Sequence, residues 1–120
     1  ESGADSFYGN YAKIIKAIKT KAPLAKIIMF GIAIIPGESH DRQQRFSDAQ
    51  QKIAKHFNIP FISENDDELF SSEYYIKNMG SGHPSSYLYG AMAAAFERLI
   101  QRAVYRNRDY FYSYGWNGEL

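Results

Sequence analysis

The run Ala25-Lys26-Ile27-Ile28-Met29-Phe30-Gly31-Ile32-Ala33-Ile34-Ile35 decides how this chain is read. A strand with one wet face alternates apolar and polar residues, whereas this one is apolar on both alternations. That pattern belongs to a central strand of a parallel sheet, covered by helices on both faces. Pro36-Gly37 closes it. Its longest apolar stretch, residues 27–35, is half the roughly 18 residues a membrane span requires, so nothing here is expected to cross a bilayer.

Upstream, Tyr8, Tyr11, Ile14, Ile15 and Ile18 recur at three- and four-residue steps, with Lys13, Lys16 and Lys19 on the other side. This spacing predicts a helix beginning near Ser6, capped by Asp5 or Ser6 and ended by Pro23. Downstream, residues 38–42 read as a polar loop. A second helix then carries Phe46, Ala49, Ile53 and Phe57 on one face, and Asn58 makes a left-handed stop. Residues 59–63 form a second short strand, with Pro60 near its start, where a missing N–H is tolerated. The acidic cluster Asn65-Asp66-Asp67-Glu68 opens a short helix through Leu69, Phe70, Tyr74 and Tyr75. After the loop Asn78-Met79-Gly80-Ser81-Gly82-His83-Pro84, Ser85 or Ser86 caps a third helix striped by Leu88, Ala91, Met92, Ala95, Phe96, Leu99 and Ala103. Arg98, Arg102, Arg106 and Arg108 read as a solvated face near its end. The tail, residues 110–120, alternates loosely and reads as an edge strand or a surface wrap.

Helices alternating with strands argue for a doubly wound parallel sheet. The expected class is α/β, a flavodoxin-like three-layer α/β/α build. Two strands, even with a third from the tail, make a thin sheet where about four to six are usual. The expectation is therefore an incomplete C-terminal half: residues 1–106 as the α/β portion and 107–120 as an aromatic tail. Exposed sheet edges also predict self-association, or pairing with a missing N-terminal half. The chain opens with Glu1 and shows no basic-then-apolar leader, so a mature or trimmed product is expected.

Composition narrows the function classes. At 45% hydrophobic and 22% charged residues, the chain is globular rather than disordered. Fourteen basic against thirteen acidic residues leave a net charge of +1, which gives no reason to expect a nucleic-acid partner. The absence of cysteine excludes disulfides and thiolate metal sites and leaves the compartment open. His40, His56 and His83 show no metal-ligand spacing, and no glycine-rich loop follows a strand, so no metal and no cofactor are expected.

His83 is the candidate catalytic residue. It sits in Gly80-Ser81-Gly82-His83-Pro84, and loops in such positions of open α/β sheets border the ligand crevice. A histidine there can take a proton from a hydroxyl and return it to a leaving group. The competing reading is a loop histidine with a structural hydrogen bond.

The run Gly82-His83-Pro84-Ser85-Ser86-Tyr87-Leu88-Tyr89-Gly90 resembles the last block of the SGNH, or GDSL, hydrolases, a catalytic His followed by Pro and an Ala-rich helix. Tyr11-Ala12-Lys13-Ile14-Ile15, then Lys21-Ala22-Pro23-Leu24-Ala25-Lys26-Ile27-Ile28, is similar to that family's helix, Ala-Pro turn and long strand. Ile53-Ala54 and Ile59-Pro60-Phe61-Ile62 are similar to its next helix–strand pair. The likeness spans residues 6–104 and rests on the order and spacing of the motifs. The resemblance implies a serine esterase acting on acyl or acetyl esters, those on carbohydrates among them, without a cofactor, in which His83 is general base and then acid.

Two departures bear on mechanism. The family's orienting Asp, three residues before the His, is Gly80 here. Asp66, Asp67, Glu64 and Glu73 are spare carboxylates that read first as a helix start. The family's Gly-Asp-Ser nucleophile block has no counterpart, Ser81 lies too near His83 along the loop, and Ser39-His40 lacks a supporting pattern. This polypeptide alone is thus expected not to hydrolyse esters. The alternative is a non-catalytic carbohydrate- or protein-binding module, using Tyr110, Phe111, Tyr112, Tyr114 and Trp116.

Overall fold

A computed structural model describes residues 6–35, 37, 39–79 and 84–113. Helix α1 (Phe7–Lys21) starts where Ser6 Oγ accepts from Gly9 N at 3.0 Å, and it stops at Ala22, before Pro23. Strand β1 (Met29–Gly31) leads to α2 (His40–Phe57), which ends on Asn58 in the left-handed region, φ 57°. Strand β2 (Phe61–Ser63) follows, then two 3-10 turns at Glu64–Asp66 and Glu68–Ser71. Short α3 (Glu73–Asn78), long α4 (Ser86–Arg106) and α5 (Arg108–Tyr112) complete the order. The fold is therefore mixed α/β and mostly helical. Among the described residues none of the helices is long and apolar enough to cross a membrane.

β1 and β2 pair in parallel, with Met29 opposite Phe61 and Gly31 opposite Ser63. Side chains on successive strand residues point to opposite faces, and the core divides accordingly. Met29 joins Ile15, Ile53, Phe57 and Tyr110, the side of α1, α2 and α5. Ile28, Phe30 and Ile62 join Phe70, Leu88, Ala95 and Leu99, the side of α3 and α4. The pair is covered on both faces, as its two-sided apolar pattern requires. Gly31 matters here, because a Cβ on it would run into the Phe61 ring.

The strand expected over residues 25–35 pairs only across Met29–Gly31. What replaces the missing ladder is a set of side-chain amides. Met29 N donates to Pro60 O, so Met29 and Gly31 turn their backbone groups toward β2, and Phe30 turns its own away. Buried Gln50 of α2 meets that outer edge: its Oε1 accepts from Ile32 N at 3.1 Å, and its Nε2 donates to Phe30 O at 3.2 Å. These are the two bonds one residue of a neighbouring parallel strand would make. Gln43, seven residues earlier on the same helix face, accepts from Ile35 N through Oε1, and Asn65 pairs with both Ile34 N and Ile34 O. The backbone polar groups of a buried segment must find partners, and here they find side chains.

The tail also differs from the expectation of an edge strand. Residues 108–112 are helical, Tyr110 is buried, and its hydroxyl accepts from Ile27 N at 3.0 Å. Residues 114–120, including Tyr114 and Trp116, lie outside the described residues.

Candidate functional site

Tyr110 reaches Ile27, just before β1, so the last turn of α4 and the start of α5 lie at the amino end of the strands. α4 therefore runs back against the strands: Arg98 and Arg102 in its second half meet Asp67 and Asp66 just past β2, and its first turn lies farther on in the same direction, with Leu88 in the cluster that holds Phe70 and Tyr75. The carboxyl end of the strands is where open parallel sheets place ligand crevices. A cavity of about 340 Å³ opens there between Ile34, His40, Phe70, Ser71 and Ile76.

The chain beyond β2 is held firmly. Ser63 Oγ accepts from Asn65 N, and Asp67 Oδ2 accepts from Leu69 N, capping one 3-10 turn each. Arg98 of α4 then grips Asp67 with two parallel bonds of 2.8 and 2.9 Å, and Arg102 donates to Asp66 O at 2.6 Å. A planar guanidinium matches a carboxylate in this way and fixes its direction as well as its charge. Two of the arginines read as a solvated face thus anchor the acidic cluster, which forms 3-10 turns rather than one continuous helix with α3.

α3 and α4 are braced against each other at the two ends of the His83 segment. Ser85 N donates to Asn78 O at 2.9 Å, and Ser85 Oγ donates to Asn78 Oδ1 at 3.2 Å while accepting from Leu88 N. Asn78 Nδ2 in turn donates to Tyr74 O. One serine therefore caps α4 and ties it to the last turn of α3. The chain is thus held together on either side of residues 79–84 by Asn78 and Ser85.

Burial sets the titration of this end. Glu64, directly after β2, is half-buried and its carboxyl is pushed up to about 7 by the loss of solvent. Burial also raises the Tyr75 phenol, and the nearby Glu64 charge raises it further. Asp67, 4% exposed, goes the other way: the Arg98 hydrogen bonds hold it below its ordinary value against the cost of burial. A carboxyl poised near neutrality at a strand's carboxyl end can accept or release a proton there. Sequence reasoning counted Glu64 only among the spare carboxylates. Its signal was position, immediately after the apolar run 59–63.

His83, the candidate catalytic residue, lies outside the described residues, as do Gly80 and Ser81. His40 is exposed as the first residue of α2, with Nδ1 3.5 Å from Asp41 Oδ1. Among the described residues no three His, Cys, Asp or Glu side chains come together as a metal site. The chain matches no protein-family model, no curated protein and no solved structure.

Proposed function

We propose that this chain is the carboxyl-terminal portion of an SGNH-type serine esterase domain, of flavodoxin-like α/β/α build, with His83 as its proton carrier. The single observation that carries the reading is the Asn78–Ser85 brace, which lies beyond the carboxyl end of a parallel strand pair. It holds together Asn78 and Ser85, on either side of residues 79–84, and it is toward the carboxyl ends of their strands that such sheets hold ligands. Helices α1 and α2 on one face and α4 on the other are in keeping with that build.

In this reading the nucleophile is a serine from polypeptide beyond these 120 residues. Its Oγ attacks the ester carbonyl while His83 takes the hydroxyl proton. The tetrahedral intermediate collapses, the acyl–oxygen bond breaks, and His83 gives the proton to the departing alcohol. A water then attacks the acyl-serine, with His83 again base and then acid, releasing the carboxylic acid. Acyl or acetyl esters, including those on carbohydrates, are the substrate class. The non-catalytic binding reading rests on the tail aromatics, and Tyr110 is buried in the core, which removes one of them as a contact residue.

The test is hydrolysis of p-nitrophenyl acetate by the product of the complete reading frame that encodes these residues. Substituting His83→Ala should lower kcat on the order of 10³-fold or more with the circular dichroism spectrum retained. An unchanged kcat, or no hydrolysis by the unsubstituted protein, overturns the reading.

A further inference from the structure

We propose that the groove between α1 and α2 is a docking surface for an acidic amphipathic helix of a partner protein. Two cavities of about 420 and 410 Å³ lie along this helix pair and share Tyr8 and Lys52, so they form one trough. Its floor is apolar: Phe7, Phe46 and Ala49 in one half, Ala12, Ile53 and Phe57 in the other. The Phe7 and Phe46 rings stand 5.2 Å apart across the two helices. Phe46 and Ala49 were expected on the same buried stripe as Ile53 and Phe57, yet they are only half-buried. The buried face of α2 is Ser47, Gln50, Ile53, Ala54 and Phe57, which leaves Phe46 and Ala49 partly toward solvent at the rim of the trough.

Charge says what covers it. Four Lys or Arg residues line the trough, namely Lys16, Arg42, Arg45 and Lys52, against one acid, Asp48. The lining thus carries a formal +3 in a chain whose total is +1. Asp48 accepts from Gln44 Nε2 at 2.9 Å, and among the described residues no carboxylate lies within salt-bridge reach of the four cations. The cations are spread along α2 from Arg42 to Lys52, with Lys16 facing from α1, rather than gathered at one point. A single anionic head group would engage one end only. Carboxylates repeating along both flanks of an apolar helix face engage the whole length, the helix-in-groove mode of recognition. From Arg42 to Phe57 the trough follows about 22 Å of helix, the length of roughly fifteen residues. This surface is on the α1–α2 side, away from the α4 side, and does not depend on the esterase reading.

The probe is a synthetic fifteen-residue helix with Leu at i, i+3, i+4 and i+7 and Glu elsewhere, added to the intact chain and followed by calorimetry. Binding should weaken about tenfold or more in Arg45→Glu/Lys52→Glu and strengthen in Asp48→Lys, each with an unchanged circular dichroism spectrum. It should also weaken on raising salt from low to high ionic strength. The proposal is overturned if the peptide does not bind, or if its affinity ignores these substitutions. It is likewise overturned if the protein binds phosphatidylglycerol vesicles through the same residues in preference to the peptide.

Discussion

Substituting Gln50→Leu removes, in one step, the partners of Phe30 O and Ile32 N on the outer edge of β1. Gln50 is 4% exposed, so water has poor access to the groups left behind. The amide also donates to Tyr11 Oη at 2.9 Å, but that half-buried hydroxyl can turn to solvent. A buried polar group left unpaired costs about 1–3 kcal/mol, so two of them imply a loss of about 2–6 kcal/mol. For a domain of this size that is a fall in Tm of about 8–24 °C. Gln50→Glu sharpens the test. One carboxylate oxygen can still accept from Ile32 N, but the other faces Phe30 O with no proton to donate. Its folded-state pKa is thereby raised above the unfolded value. Stability of this variant should be highest below about pH 4 and fall as pH climbs through the folded value, relative to the unsubstituted chain. Urea unfolding followed by circular dichroism at pH 4, 5.5 and 7 measures this. A Gln50→Leu loss under about 0.5 kcal/mol, or a Gln50→Glu penalty flat with pH, would refute the idea that this amide stands in for a strand.

Three further outcomes follow from the same geometry. Glu64 holds its proton up to about pH 7 when folded, against an ordinary 4.5, so its contribution is present in acid and lost as pH rises through neutrality. Glu64→Gln should raise stability at pH 8 by about 1–2 kcal/mol, a figure reduced because the group is only partly buried, with little change at pH 4. Asp67 acts with the opposite sign. Its folded value lies below the ordinary 3.8, so its contribution is present above that and lost as pH falls further. Asp67→Asn should therefore flatten the acid limb of Tm against pH. Ser85→Ala removes the α4 cap and the side-chain bond to Asn78 while leaving the Ser85 N–Asn78 O bond, and should cost about 1–2 kcal/mol in chemical denaturation.

Much of the fold was legible because local chemistry and tertiary packing agree. Ser6, Asn58 and Ser85 sit at helix ends where their side chains or backbone angles favour a stop or start. Leu88, Ala95, Leu99 and Ala103 keep the helical period that buries them. The length of β1 was not legible. Apolar patterning registers burial, and residues 32–35 are half-buried with Ala33 and Ile35 against the core, but the backbone N–H groups of Ile32, Ile34 and Ile35 find Gln50, Asn65 and Gln43. No pattern of hydrophobicity encodes an amide eighteen residues away in sequence. The tail misled for a similar reason. Tyr110 is buried in the α1–α2 cluster with its hydroxyl accepting from Ile27 N, a contact between residues 83 apart. Arg98 likewise looks like a surface cation until Asp67 is found opposite it. At the candidate site the sequence indicated the capping serine, Ser85, whereas Asn78 is the last residue of α3 rather than the start of a loop and the perturbed carboxyl of Glu64 emerged only from burial.

The most direct test of the central claim is to treat the product of the complete reading frame with a fluorophosphonate and map the adduct by peptide mass spectrometry. The account predicts one modified serine outside residues 1–120, and loss of labelling when His83 is replaced by alanine in a folded protein. Labelling that persists without the imidazole, an adduct on Ser39 or Ser81, or no adduct at all would contradict it.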